Sequence, residues 1–197
     1  MSLELWLVRH GETAWSASGQ HTSVTDVGLT EGGRRQAEAI GKFLDGKKFE
    51  AVFVSPRSRA RETCRIAGYG DVAVVDDDLQ EWEYGESEGK TTQEMQAIYP
   101  GWSVWTATMI GGETVEAVGV RADRVITRAV AAALRGGAVA LFAHGHILRI
   151  LAARWVGLEA SRGQLLGLET GSVSVLGFEH QRKVIDKWNR GFEVRRV

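Results

Sequence analysis

The sequence predicts an α/β protein, namely a three-layer α/β/α sandwich around a mostly parallel sheet. Short apolar runs alternate with segments of helical periodicity between residues 3 and 156, and parallel strands joined by helices produce that alternation. The chain has 197 residues, of which 44% are hydrophobic and 25% are charged. This size and composition suit one packed domain that spans residues 1–197.

Six short runs rich in aliphatic or β-branched residues are predicted to be strands. The last two lie close together in the chain and are expected to form a closing hairpin. The six strands are Leu3–Val8, Ala51–Val54, Val72–Val75, Ala138–Ala143, Val173–Phe178 and Arg182–Trp188.

Four segments with apolar residues at helical spacing are predicted to be helices. The longest is expected to stop at Gly136 and Gly137, because glycine commonly ends a helix. Residues 79–112 mix glycine, tryptophan and acidic residues without a period, and are predicted to form an irregular excursion over one sheet edge, near the active site. The four helices are Thr30–Leu44, Pro56–Ala67, Glu113–Leu134 and His146–Val156.

Two groups of charged residues are interpreted as surface features. Asp76–Asp78 is expected to be a turn or solvated loop, because three consecutive acids cannot all point to one side of an extended chain. Arg121, Arg124 and Arg128 lie on the longest predicted helix and are expected to form its solvated face.

The charge balance and cysteine content exclude several classes of protein. Lys and Arg number 24 against 25 Asp and Glu, and this balance argues against a nucleic-acid-binding protein. The single cysteine, Cys64, excludes an internal disulfide and a cysteine-rich zinc site, and fits a reducing compartment. Neither a signal-peptide pattern nor a membrane-length apolar run is found in the sequence, so we expect a cytoplasmic protein without a membrane partner. A homodimer is also considered, although no residue identifies its surface.

Polar side chains that could take part in catalysis or ligand binding follow each of the first four predicted strands. Arg9 and His10 follow the first strand, and Arg59 comes shortly after the second. The third strand leads to Glu81, and the fourth is followed by His144. Because ligands of open α/β sheets bind at the carboxyl ends of the strands, we expect these five side chains to converge there.

This combination of side chains suits a phosphate monoester. The guanidinium group of arginine forms bidentate hydrogen bonds with phosphate oxygens and stays charged. A neutral imidazole can attack phosphorus and form a covalent intermediate. Glu81, kept protonated by partial burial and a nearby phosphate dianion, would supply the proton for the leaving group. Arg9, Arg59 and a second, cationic histidine would stabilise charge on the transferring group.

Four ordered motifs carry a resemblance to a known family. LVRHGET at 7–13, SPRSRARET at 55–63, EWEYGESEG at 81–89 and FAHGH at 142–146 resemble the successive signatures of the histidine phosphatase superfamily, in its phosphoglycerate-mutase-like branch. WSASGQHTSVTDVGLT and VVDDDLQEWEYGESEG further resemble its sugar-bisphosphatase and broad-specificity acid phosphatase members. The resemblance implies a phosphoglycerate-mutase-like α/β/α sandwich that needs no metal and no cofactor.

The resemblance also implies a role for each of the five residues. His10 would be the phosphorylated nucleophile and Glu81 the proton donor. Arg9, Arg59 and His144 would form the phosphate pocket.

Further substrate contacts are expected around this core. Ser16 stands where the mutases usually carry asparagine, and its hydroxyl is expected to bond the substrate. His21 and Thr22, in the loop after the first motif, either reach the substrate or satisfy the backbone of their own loop. Gly145 and Tyr84 complete the predicted contacts. The dense aromatic residues Trp82, Tyr84, Trp102 and Trp105 form either a small satellite core or a lid over the pocket.

The function predicted from these residues is hydrolysis of small phosphorylated metabolites, sugar phosphates or bisphosphates, through a phosphohistidine. A bisphosphate would need further cationic groups, for which His21 and Arg57 are the candidates. One alternative is a cofactor-dependent phosphoglycerate mutase; another is a non-catalytic phosphate-binding module. A metal site at His144 and His146 is disfavoured, because no Asp or Cys accompanies them in a ligand pattern.

Overall fold

A single mixed sheet forms the centre of the molecule. The computed structural model describes residues 3–133 and 136–192, and within these residues six strands are ordered β3-β2-β4-β1-β5-β6. The first four strands in this order run parallel, whereas β5 and β6 are antiparallel to their neighbours. The strands are β1 Glu4–Arg9, β2 Ala51–Val54, β3 Ala73–Val75, β4 Ala138–Ala143, β5 Val173–Glu179 and β6 Arg182–Arg190.

Helices connect the strands, and their N-termini follow local capping rules. The side chain of Thr30 accepts a hydrogen bond from the Gly33 N–H, and Thr114 does the same for Ala117. Among the described residues, no helix is both long enough and apolar enough to span a membrane. The helices are α1 Ala14–Ser18, α2 Glu31–Leu44, α3 Ser58–Ile66, α4 Thr92–Ile98, α5 Val115–Ala132 and α6 Gly145–Trp155.

The sheet is covered on both faces, which confirms the predicted three-layer sandwich. Side chains alternate along a strand, so Leu5 and Leu7 of β1 pack in the cluster that contains the buried side chains of α5 and α6. Trp6 and Val8 point the other way and pack with α2 and α3. The buried residues of β4 divide between the two clusters in the same manner.

Several predicted boundaries shift by a few residues. The second predicted helix was expected to begin at Pro56, but the corresponding helix, α3, begins at Ser58 after an extended Arg57. The predicted strand at Val72 begins one residue later, because Gly70–Val72 forms a 3₁₀ turn. The predicted helix end at Leu134 lies outside the described residues.

The aromatic segment 79–112 is part of the main core. Trp82, Tyr84, Trp102 and Met109 are buried in the same cluster as the residues of α5 and α6, so the prediction of a separate satellite core is wrong. The segment is mostly irregular, as predicted, but it includes α4.

Candidate active site

Parallel pairing of the strands brings the two predicted histidines together. Arg9 lies opposite Ala143 where β1 and β4 end, and the His10 N–H donates to the Ala143 carbonyl at 3.0 Å. His144 follows β4 directly, so the rings of His10 and His144 lie 5.1 Å apart, centroid to centroid. The predicted convergence at the carboxyl ends of these strands is therefore present.

His10 has the geometry of a neutral nucleophile. Its Nδ1 lies 2.7 Å from the Gly11 carbonyl, and because a carbonyl only accepts, Nδ1 carries the proton and Nε2 carries the lone pair. Burial and then the charges of Arg9 and Arg59 lower the pKa of His10 well below its ordinary value. The ring is therefore uncharged and able to attack phosphorus.

The loop that carries His10 packs directly against the first turn of α2. A Cβ atom on Gly33 would lie 2.1 Å from the Glu12 carbonyl oxygen, and one on Gly11 would lie 2.2 Å from the Gly33 oxygen. The Gly11 N–H donates to the Thr63 hydroxyl of α3 at 3.1 Å. Glycine is required at both positions because backbone meets backbone there.

Arg59 and His144 are fully buried and bonded to each other. The Arg59 Nε donates to the His144 Nδ1 at 3.2 Å, and the His144 Nε2 lies 2.7 Å from the Ser55 hydroxyl. Because a guanidinium only donates, Nδ1 must accept, and His144 is neutral with its proton on Nε2. Burial, followed by the Arg59 charge, lowers the pKa of His144 well below its ordinary value. The expected cationic second histidine is therefore corrected to a neutral one.

Arg59 also holds the loop that follows the first motif. Its terminal nitrogens donate to the carbonyls of Thr22, Ser23 and Thr25, each at 3.2 Å. Together with burial and the charge of Arg9, the charge of Arg59 lowers the pKa of His10, and its terminal N–H groups hold the loop that carries Thr22.

Arg9 presents a donor that the protein leaves unmatched. One terminal nitrogen bonds the Leu168 carbonyl, whereas Nε is buried without a hydrogen-bond partner. A buried guanidinium N–H without an acceptor is costly, and a phosphate oxygen would supply the acceptor. Arg9 therefore fits the phosphate-binding role that was predicted.

The carboxyl group of Glu81 lies at the N-terminus of α6. Its Oε1 accepts from the N–H groups of Trp82 and Ile147, both at 2.9 Å, and its Oε2 accepts from the His146 N–H at 3.0 Å. The side chain is 5% exposed and lines the same cavity as His10. Oε2 accepts one hydrogen bond, whereas Oε1 accepts two.

Arg121 positions the segment before Glu81. Its guanidinium donates to the carbonyls of Asp78 at 2.7 Å and Gln80 at 3.0 Å, and pairs with Glu113 at 2.7 Å. It is therefore a half-buried support, so the predicted solvated face is wrong for this residue.

The neighbouring arginines of α5 are paired with the acidic triplet. Arg124 and Arg128 both bond Asp78, and Arg128 also bonds Asp76 at 2.8 Å. The hydrogen bond from Arg124 is the main cause that lowers the pKa of Asp78 to about 2. Asp77–Leu79 forms a 3₁₀ turn, so the predicted turn is present, but two of the three acids, Asp76 and Asp78, are ion-paired.

A cavity of about 250 Å³ lies beside His10 at the ends of β1 and β4. Of the five predicted catalytic residues, Arg9, His10 and Glu81 line it, whereas Arg59 and His144 lie buried behind His10. Each of the five predicted substrate-binding residues lines the cavity. The lining residues are Arg9, His10, Thr13, Ser16, Gly19, Gln20, His21, Thr22, Glu81, Tyr84, Gly145, His146 and Arg149.

Two of the predicted contacts use their hydroxyl groups within the loop itself. Ser16 and Thr13 form a reciprocal capping box at the start of α1, and the Thr22 hydroxyl donates to the Gln20 carbonyl at 3.1 Å. Both residues therefore shape the wall of the cavity, and a direct substrate bond from either hydroxyl stays a prediction.

His146 has a larger part in the site than the sequence indicated. Its Nδ1 lies 2.6 Å from the Tyr84 hydroxyl, and burial raises the pKa of Tyr84 well above its ordinary value, so the phenol donates. Burial likewise lowers the pKa of His146 well below its ordinary value. The ring is thus neutral with its proton on Nε2, and it packs edge-on against Trp82 and tilted against Trp105.

Arg149 is a cavity residue that the sequence analysis missed. It lies on α6 four residues after Gly145, and positions four apart share one face of a helix. That spacing after the FAHGH motif is the signal that would have found it. Among the described residues, no group of three or more His, Cys, Asp or Glu side chains is arranged to hold a metal ion.

Comparison with known proteins gives one consistent family. Residues 5–191 match the model of the histidine phosphatase superfamily, branch 1. The chain is 40% identical to an acid phosphatase of Mycobacterium tuberculosis, over 89% of this chain and 87% of that protein. It is 37% identical to a sedoheptulose 1,7-bisphosphatase of Saccharomyces cerevisiae, over 77% of this chain and 67% of that protein. Relatives also include 2,3-bisphosphoglycerate-dependent phosphoglycerate mutases.

A solved structure extends the same result to the fold. The mycobacterial glucosyl-3-phosphoglycerate phosphatase superposes with a TM-score of 0.86 at 27% identity, over 96% of this chain and 99% of that one. With a family match along nearly its whole length, and with the motif histidine and arginine at one cavity, the chain belongs to the histidine phosphatase superfamily.

Proposed function

We propose that this protein hydrolyses phosphate monoesters of small metabolites through a phosphohistidine on His10. One observation carries the proposal: the unprotonated Nε2 of a buried, neutral His10 shares one cavity with Arg9, whose Nε lacks a hydrogen-bond partner, and with Glu81. Nucleophile, anion-binding group and proton donor are the three parts that such a transfer requires.

The reaction has two steps. His10 Nε2 forms a bond to phosphorus as the bond from phosphorus to the ester oxygen breaks, and Glu81 gives its proton to that oxygen, so the alcohol leaves. Water then attacks the phosphohistidine, Glu81 accepts a proton from it, and the bond from His10 to phosphorus breaks. The products are the alcohol and inorganic phosphate, and both side chains return to their starting state.

The substrate class follows from the size and charge of the cavity. A volume of about 250 Å³ lies below the roughly 300–1,000 Å³ of drug-sized ligand pockets, which favours a small substrate. Relatives named for sedoheptulose bisphosphate and for glucosyl-3-phosphoglycerate support sugar phosphates or bisphosphates as the class.

The experiment that tests the proposal is phosphate release together with trapping of the intermediate. We expect release from several phosphorylated metabolites and from p-nitrophenyl phosphate in the presence of EDTA, and a phosphorylated protein after rapid quenching in alkali. The phosphate should be lost in acid, as phosphoramidates are, and should be absent in His10→Ala. Turnover by His10→Ala near the wild-type rate would contradict the mechanism.

A phosphoglycerate mutase is the second candidate, since such mutases are among the relatives. A mutase returns the phosphoryl group from histidine to its substrate, so 2,3-bisphosphoglycerate should stimulate interconversion of the phosphoglycerates. Stimulation with little phosphate release would favour the mutase. Binding of phosphate without either reaction would favour a non-catalytic module.

A further inference from the structure

Glu88 does not line the cavity, but its carboxylate binds the loop that forms one wall of it. Both oxygens accept from the Ser23 N–H, at 2.9 and 3.0 Å, and Oε1 also accepts from the Thr25 N–H at 3.0 Å. Hydrogen bonds from N–H groups to an ionised carboxylate are about twice as strong as neutral ones. Because both partners are backbone groups, Glu88 fixes the path of the loop itself.

The peptide group between Thr22 and Ser23 is held from both sides by opposite charges. Arg59 donates to the Thr22 carbonyl at 3.2 Å, and Glu88 accepts from the N–H of the same peptide group. The C=O and the N–H of a planar trans peptide group point in opposite directions, so the guanidinium and the carboxylate lie on opposite sides of it. Thr22 lines the cavity, so this pair of charges fixes the orientation of a cavity residue.

The same loop is joined to the residues that follow Glu88. The His21 N–H donates to the Lys90 carbonyl at 2.9 Å, and the Gly89 N–H donates to the His21 carbonyl at 2.8 Å. The Gln20 side chain donates to the Gly89 carbonyl, also at 2.8 Å. His21 therefore lines the cavity from a backbone whose two polar groups are both bonded, and Glu88 lies directly beside these bonds in the chain.

Ser23 connects the loop to the proposed proton donor. Its hydroxyl donates to the backbone carbonyl of Glu81 at 3.2 Å, and the residue is 2% exposed. Glu81 and Thr22 line the same cavity. Through one buried serine, the carboxylate of Glu88 thus holds both a wall of the cavity and the backbone from which the Glu81 carboxyl group extends.

We propose that Glu88 is a positioning residue for proton transfer by Glu81. Without touching the substrate, it fixes the Thr22–Ser23 peptide group and, through Ser23, the place of Glu81 in the cavity. This inference rests on the proposed function. Glu86, two residues earlier in the same acidic segment, is exposed, so the role belongs to Glu88 and is not shared by that neighbouring acid.

The test compares two substrates of similar shape that differ in the acidity of the leaving group. p-Nitrophenol leaves with little help from an acid, whereas phenol, a much weaker acid, needs more protonation. Glu88→Gln keeps the size of the side chain but removes its charge and one of its two acceptor oxygens. We expect kcat for phenyl phosphate to fall about tenfold, as the loss of one charge-assisted hydrogen bond allows. For p-nitrophenyl phosphate, kcat should fall by about threefold at most.

Glu86→Gln is the matched control and should keep both rates near those of the wild type. Urea unfolding of each variant identifies conditions under which all of them are folded, and the kinetics are compared there. Loss of stability in Glu88→Gln with an unchanged ratio of the two rates would mean that Glu88 only stabilises the fold, and would overturn the proposal.

Ser23→Ala tests the same connection if Glu88→Gln does not fold. It removes the hydroxyl that bonds the Glu81 carbonyl and keeps the N–H that bonds Glu88, and the ratio should change in the same direction. A ratio that changes in Glu81→Gln but in neither of these variants would overturn the positioning role alone. Absence of p-nitrophenyl phosphate hydrolysis in the wild type would instead overturn the phosphatase, and the positioning role with it.

Discussion

The proposed role of Glu81 as proton donor depends on one oxygen atom of its carboxyl group, Oε2. Glu81→Gln keeps an acceptor for the Trp82 and Ile147 N–H groups but removes the proton that Oε2 would deliver. We expect kcat for a sugar phosphate to fall about 10²- to 10⁴-fold. The loss should be much smaller for p-nitrophenyl phosphate, whose leaving group needs little protonation. Steady-state kinetics on both substrates measures the difference.

Glu83→Gln is the matched control, because Glu83 is exposed and belongs to the same acidic segment. Its kinetics should stay near those of the wild type on both substrates. Equal losses on the two substrates in Glu81→Gln would remove Glu81 from the role of acid, and a selective loss in Glu83→Gln would transfer the role to that residue.

Residues within contiguous motifs could be predicted, whereas residues joined only by the fold could not. His10, Glu81 and His144 stand in short motifs directly after strands or in a recognisable acidic segment. The bond between Tyr84 and His146 joins positions 62 residues apart, and Arg121 reaches 40 residues back to the segment of Glu81. The local sequence does not indicate contacts between residues so far apart in the chain, so Arg121 was interpreted as an ordinary surface arginine.

At the scale of elements, the contact between α2 and the loop that carries His10 predicts that two adjacent glycines differ in their tolerance of alanine. A methyl group on Gly33 would lie 2.1 Å from the Glu12 carbonyl oxygen, whereas one on Gly32 would meet only side-chain atoms, the nearest being the Glu12 Oε1 at 3.2 Å. Gly33→Ala should therefore lower the free energy of unfolding by about 1–3 kcal/mol, as overpacking does, and also displace His10 and reduce kcat. Urea unfolding and phosphatase assays measure the two effects.

Gly32→Ala is the control, and alanine is favoured over glycine in a helix by up to about 1 kcal/mol. It should match or exceed the wild-type stability and keep its activity. Similar destabilisation in the two variants would show that the backbone contact between Gly33 and Glu12 is not what excludes alanine at position 33.

Long periodic elements were predicted more accurately than short ones. The 18 residues of α5 show their apolar stripe over five turns, and β4 is apolar throughout because it is buried on both faces. In contrast, α1 and α4 have only five and seven residues, which is too short for a period to stand out. Their capping boxes at Thr13 and Thr91 are the local signal that remained.

At the scale of the whole molecule, the succession of the six strands and the four longer helices along the chain was predicted, but the charge state of the site was not. Alternation of apolar runs with helical segments determines a layered sheet, and the sequence carries that information directly. The neutrality of His144 depends instead on complete burial and on the Arg59 guanidinium at 3.2 Å. Both conditions arise only when α3 packs beside the end of β4.

This buried neutral histidine group makes the stability of the whole molecule depend on pH. His10, His144 and His146 have pKa values lowered well below the ordinary value, in each case mainly by burial. In the unfolded chain they titrate near the ordinary value of about 6.5. Between that pH and their lower folded pKa values, the unfolded state therefore binds more protons than the folded state.

Stability should accordingly be independent of these three histidines above about pH 6.5 and should fall as the pH drops below it. Each proton taken up contributes about 1.4 kcal/mol per pH unit, so these three histidines should contribute a slope of the free energy of unfolding that approaches about 4 kcal/mol per unit. His21, whose pKa is also lowered by burial, adds to that slope. Urea titrations at closely spaced pH values between 7.5 and 5.5 give this slope. His146→Gln removes one of the three groups and should lower the limiting slope by about 1.4 kcal/mol per pH unit. A flat profile down to pH 5.5 would mean that the three rings are protonated as readily in the folded protein as in the unfolded chain, and the neutral nucleophile at His10 would lose its physical basis.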